Sequence, residues 1–98
     1  MDDLLGKVER EIPVVLREGE GTLFLCERGI IYEGSNVNGR VAAPYNYIKT
    51  VSLGRELPLG QMEAYIVLHD LMGDKFELEF AANELHLNEI KRRCTPGR

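Results

Sequence analysis

Apolar and polar residues alternate along this chain as far as Ala81, and there the period changes. Alternation at period two, punctuated by turn residues, predicts strands. Glu11 to Arg17 holds Ile12, Val14, Val15 and Leu16, a β-rich run. Pro13 inside it points to an edge or a strand start, because proline cannot donate to a ladder. Glu18-Gly19-Glu20-Gly21 reads as a turn. Thr22 to Cys26 and Ile30 to Tyr32 then form a hairpin around Glu27-Arg28-Gly29, where Gly29 gives the turn its backbone freedom.

Gly34-Ser35-Asn36 ends that hairpin, and Asn38-Gly39 is the next turn signal. Arg40 to Ala43 is a short strand broken by Pro44. Tyr47 to Leu53 is another, followed by an expected loop from Gly54 to Gly60 around Pro58. Met62 to His69 is a strong strand, turned by Leu71-Met72-Gly73-Asp74. Lys75 to Phe80 alternates most cleanly: Phe76, Leu78 and Phe80 share one face, and Glu77 and Glu79 the other. Residues 1–10 admit two readings, one helical turn built on Leu4, Leu5 and Val8, or a lead-in to the first strand.

From Asn83 the apolar positions Leu87, Ile90 and Cys94 recur at helical spacing. Asn83 suits the N-cap and Glu84 the first turn. Lys91, Arg92 and Arg93 enrich the last turn, and Pro96-Gly97 stops it. A helix of about three turns is marginal alone, so its stripe must dock on the sheet. The expectation is a mainly β domain of about seven strands, a bent antiparallel sheet or partial barrel, capped by one C-terminal helix. Lys91 to Arg93 are expected on another side or end of the helix, with little weight in stability.

A chain of 98 residues suits a single domain, here 1–98. Its hydrophobic content of 44% and charged content of 29% are ordinary globular values. No apolar run reaches the roughly 20 residues that span a bilayer. The start, Met1-Asp2-Asp3, lacks the basic region of a secretory signal, so a cytoplasmic location is the default expectation. The net charge is −4 and unevenly spread. Acids dominate the N-terminal third and bases the last helical turn. That basic turn either complements the helix dipole or forms a docking patch for an acidic partner.

The residues do not assemble into catalytic motifs. His69 and His86 have no cysteine or second histidine at ligand spacing, so no metal site or cofactor is expected. Ser35 and Ser52 stand outside any nucleophile elbow. Cys26 reads as a core thiol and Cys94 lies near the end of the helix; a disulfide between them is possible on parity alone and disfavoured in a reducing compartment. The glycines form no phosphate-binding fingerprint. Nucleic acid demands a positive surface, which an acidic chain does not offer. The chain is therefore read as non-enzymatic.

Two stretches carry a family resemblance. Gly21-Thr22-Leu23-Phe24-Leu25-Cys26-Glu27-Arg28-Gly29-Ile30-Ile31-Tyr32 is similar to the first-hairpin pattern of pleckstrin-homology-like domains, above all the GRAM-type and prokaryotic branches. Ala43-Pro44-Tyr45-Asn46-Tyr47-Ile48-Lys49-Thr50-Val51 is similar to their proline-led segment. Cys26 stands where those domains often have threonine, and Gly29-Ile30 displaces their usual Arg-Leu pair. Archaeal taxis adaptors of the CheF type begin with such a domain, and no residue here singles them out. The resemblance implies a role in binding phosphoinositides, binding peptides or scaffolding, and the fold alone does not choose among them.

Lipid-binding members gather Lys and Arg around the first hairpin loop. The corresponding Arg17-Glu18-Gly19-Glu20-Gly21 sets one base among two acids, which argues against membrane lipid. A protein-interaction or adaptor domain is the favoured expectation, and an acidic-lipid or membrane-surface module is the alternative. The candidate partner-binding residues are Tyr45, Tyr47, Lys91, Arg92 and Arg93, since tyrosine and arginine are enriched at interface hot spots. The tyrosines equally suit capping the sheet's core. A sheet edge is a second docking site, for an added strand or for a homodimer.

Overall fold

The computed structural model describes residues 5–16, 19–35 and 40–94. Seven strands and one helix follow one another: β1 (Val8–Leu16), β2 (Gly19–Cys26), β3 (Gly29–Gly34), β4 (Arg40–Pro44), β5 (Ile48–Leu57), β6 (Gln61–His69), β7 (Lys75–Asn83) and α1 (Glu84–Cys94). The strands form one antiparallel sheet in the order β4-β3-β2-β1-β7-β6-β5, bent and not closed. The mainly β architecture with its C-terminal helix agrees with the alternation in the sequence.

The bend falls where β1 meets β7. These two strands share only the pair Val15↔Ala81, whereas β1–β2 and β6–β7 are paired along their lengths. Pro13 explains part of this. Its missing N–H suggested an edge, yet β1 lies in the interior of the sheet order, with Pro13 opposite Thr22 of β2. The proline is tolerated because β7 does not pair with β1 at that position.

Two expected boundaries move. The expected loop from Gly54 is instead a continuation of β5 to Leu57, leaving Pro58–Gly60 as the turn. An irregularity in the β5–β6 register between Leu53 and Glu56 shifts the strand's phase, so the alternation stops while the pairing continues. Of the turn expected at Glu18–Gly21, Gly19 to Gly21 belong to β2; Arg17 and Glu18 lie outside the described residues. So do Met1 to Leu4, the turn at Asn38-Gly39 and the stop at Pro96-Gly97. Of the ambiguous first ten residues, 8–10 belong to β1.

The expected inner faces close into one core. Ile12, Leu23, Leu25, Ile30, Ile66 and Leu78 are all fully buried. Phe80 stacks on Tyr32 with ring centroids 5.8 Å apart. α1 packs on β5, β6 and β7, and its stripe of Leu87, Ile90 and Cys94 completes the core. The Asn83 side chain accepts the Leu85 N–H at 2.8 Å, as an N-cap does. At the β6–β7 turn, Asp70 Oδ1 accepts the N–H groups of Met72 and Asp74, both at 2.9 Å. The Leu71 N–H from this turn reaches Ala42 O of the edge strand β4 at 3.2 Å, tying the β6–β7 half of the bent sheet to the opposite edge. No helix among the described residues is long and apolar enough to cross a membrane.

Candidate interaction surface

Pro44 ends β4, and Tyr45–Tyr47 form a single 3-10 turn that carries the chain to β5. The turn is pinned from within. The Tyr45 N–H donates to Arg28 O at 3.0 Å, and the Tyr45 hydroxyl donates to Cys26 O at 2.7 Å. α1 packs against this same turn. The chain thereby brings residues 45–47 and 91–93 to one corner of the molecule.

Arg93 makes that junction. Its Nη1 lies 2.7 Å from Glu9 Oε1 and 3.3 Å from the Tyr45 hydroxyl oxygen, which accepts. Cys26 O is a weaker acceptor at 3.4 Å. Its Nη2 pairs with Glu89 Oε2 at 3.1 Å, one helical turn back. Glu89 also takes Arg10 Nε at 2.6 Å. One planar guanidinium thus links the helix end, the start of β1 and the 3-10 turn. The Glu89 side chain is 13% exposed and that of Arg93 26%, so water screens this pair less than an open surface pair, whereas Glu9 and Arg10 stay largely open to water.

The protonation of these groups follows from the contacts. Partial burial raises the Tyr45 hydroxyl above its ordinary value, and the Arg93 hydrogen bond and charge work against that rise. The bonds to Tyr45 and Glu9 hold the Arg93 guanidinium charged even more firmly than usual. Burial pushes the neighbouring Cys94 thiol up to about 12, and the Arg93 charge opposes this.

The five expected contact residues therefore fall into two layers. Tyr45 and Arg93 face one another, and their polar groups are spent inside the corner. Tyr47 is 42% exposed, and Lys91 and Arg92 lie on the solvent side of α1. The three bases were expected on another side or end of the helix: Lys91 and Arg92 are exposed, and Arg93 lies at the helix end, partly buried and bonded to Glu9, Glu89 and Tyr45. Arg93 is three residues from Ile90 and four from Glu89, which sets it at the margin of the buried stripe. The acid-to-base spacing of Glu89 and Arg93 was a readable signal. The recruitment of Glu9 and Arg10 from the far end of the chain was not, since it depends on the path of β1.

A separate open groove of about 1000 Å³ lies by the β1–β7 seam. Val15, Leu16, Leu53, Arg55, Tyr65 and Phe80 are among its lining residues, and none of the five candidates is. Among the described residues, no three His, Cys, Asp or Glu side chains are grouped to hold a metal ion. No family model and no curated protein matches this sequence.

Proposed function

We propose that this chain is a non-catalytic protein-interaction or adaptor domain of the pleckstrin-homology-like superfold. Its contact surface is the corner carrying Tyr47, Lys91 and Arg92, and its partner presents acidic groups. The seven-stranded bent sheet with its terminal helix is compatible with that superfold. What carries the reading is the packing of α1 on the Tyr45–Tyr47 turn. It brings the turn that carries the exposed Tyr47 against the helix that carries the exposed Lys91 and Arg92, far away in sequence. The layer beneath, Tyr45 and Arg93, keeps this corner ordered before any partner arrives, which lowers the entropic cost of binding. A surface that offers an aromatic ring and cations suits a segment with carboxylates beside an apolar group.

Titration of the labelled protein with a glutamate-rich peptide containing one leucine tests this by NMR. At low salt, shifts are expected to concentrate at Tyr47, Lys91 and Arg92 and to vanish in the triple alanine variant. Shifts spread evenly over the surface would refute the assignment. Co-sedimentation with phosphatidylserine vesicles, lost in the same variant, would replace it with the acidic-lipid reading.

A further inference from the structure

A second apolar cluster lies apart from the main core. It consists of Leu5, Cys26 and Ile31, with Phe24 and Ala42 packed against it. Phe24, Ile31 and Ala42 are register partners across β2, β3 and β4, so they form a row on one face of the sheet. Leu5 comes from outside the sheet and is 1% exposed, so it seals this row from water.

Among the described residues, three hydrogen bonds are seen to hold the segment around Leu5, and its site is shaped to receive it. The Arg28 N–H donates to Leu5 O at 2.8 Å and the Glu27 N–H to Lys7 O at 3.0 Å. The Lys7 N–H donates to Glu27 Oε1 at 3.3 Å. Gly29 leaves the space that Leu5 fills: a Cβ there would lie 2.6 Å from Leu5 Cδ2. Between the two anchoring carbonyls, Gly6 takes φ +82°, a conformation open to glycine and costly for other residues. The arrangement resembles a bound peptide: one leucine in a pocket and two backbone bonds, with a glycine between them.

We infer that Leu5–Lys7 is a detachable latch over a leucine-binding pocket, and that the pocket accepts the same segment from a second copy of this chain. The latch opens as a unit while the seven strands stay folded, because its apolar contacts are confined to the small cluster and the main core does not include it. Opening uncovers Ile31, the Cys26 thiol and the Glu27 and Arg28 amides together. The occupant is argued from the site itself, since the pocket and donors already match this sequence. The inference does not depend on the interaction surface proposed above.

Cys26 reports the opening. In a Cys94→Ala background it is the one remaining thiol. There, Leu5→Ala is expected to raise the rate of Cys26 modification by a small maleimide at least about tenfold, with the circular dichroism unchanged. An added peptide of residues 2–8, standing for the arm of a second copy, is expected to restore protection. The same peptide with its own Leu5→Ala change is not. An unchanged rate would overturn the latch, and no protection by the peptide, or equal protection by both, would overturn the pocket's selectivity for a second copy. If Leu5→Ala unfolds the protein, hydrogen exchange on the unaltered chain decides. Glu27 and Arg28 amides must exchange well before those of β6 and β7, and exchange at the same rate would refute a separate opening.

Discussion

Tyr45 and Arg93 are turned into the corner between the sheet and α1, whereas Tyr47 and Arg92, one or two positions away, are turned toward water. The two pairs have the same chemistry and nearly the same place in the chain. They differ in what their polar groups meet. The Tyr45 hydroxyl and the Arg93 guanidinium are occupied by Cys26 O, Glu9 and Glu89, so they contribute to the fold. Tyr47 and Arg92 keep exposed surface, which the proposed contact would use. Residue type thus nominates a contact group, and the local packing decides whether it is available.

The largest expected effect lies beneath both pairs. Leu87 and Ile90 are fully buried against the sheet, so Ile90→Ala is expected to cost about 2–5 kcal/mol through lost burial and the cavity left behind. That is a large part of the roughly 5–15 kcal/mol that holds a domain together. Urea melts with an unchanged slope measure it. A loss as small as that of an exposed position would mean that α1 is not docked, and the inner-versus-outer distinction would then have no basis.

Arg93→Ala comes next, at about 1.5–3 kcal/mol, because charge-assisted bonds are lost and Glu89 is left mostly buried with one cation fewer. Arg93→Lys should lie between, since an ammonium retains the charge but not the two-sided fork. A double-mutant cycle with Glu9→Gln isolates the direct pair. A value for Arg93→Ala equal to that of Arg92→Ala would mean that the Arg93 contacts add nothing to the fold.

Much of the fold was legible in residues that alternate. Phe76, Leu78 and Phe80 announced β7 and its buried face, and Leu87 and Ile90 announced the docked stripe of α1. Reading failed where the backbone departs from a simple period. The slip between Leu53 and Glu56 concealed the end of β5, and Pro13 suggested an edge that the β1–β7 seam makes unnecessary. The candidate corner was half legible. Residue types singled out Tyr45, Tyr47 and the three bases. Only the path of the chain could divide them, because Glu9 and Arg10 reach Arg93 and Glu89 across nearly the whole sequence. The cluster under Leu5 was hidden for the same reason, its members coming from the ambiguous first residues and from strands 2 to 4.

Burial of the helix end also sets a pH response. The Cys94 thiol rises from 9.0 to about 12 in the folded protein, while the unfolded chain retains the ordinary value. Below pH 9 both states hold the proton and this contribution to stability is fully present. Between about 9 and 12 only the folded state holds it, so unfolding releases a proton and stability falls as pH rises. The slope from this one group is at most about 1.4 kcal/mol per pH unit. The raised Tyr45 hydroxyl adds to the fall in the same direction. Cys94→Ala is expected to flatten the alkaline side of a stability-against-pH curve, and an unaltered curve would place the thiol in contact with water.

The smallest difference tests the comparison most closely, because it removes one oxygen atom from each tyrosine. Tyr45→Phe takes away the donor to Cys26 O and one acceptor of Arg93, while leaving the ring in place. A single satisfied hydrogen bond is worth about 0.5–1.5 kcal/mol, and the loss should fall in that range. Part of it should disappear in an Arg93→Ala background, where the hydroxyl has already lost its cation. Tyr47→Phe and Arg92→Ala remove exposed groups and should change stability by no more than about 0.5 kcal/mol. Their consequence belongs to binding: each should weaken the response to the acidic peptide while the melting curve stays in place. Tyr45→Phe should do the reverse, shifting the melt and leaving the peptide contacts at Tyr47 and Arg92 nearly as they were. If Tyr47→Phe destabilised as much as Tyr45→Phe, the exposed ring would be supporting the fold through its hydroxyl. The corner would then be a single structural layer, with no group of the five left over for a partner.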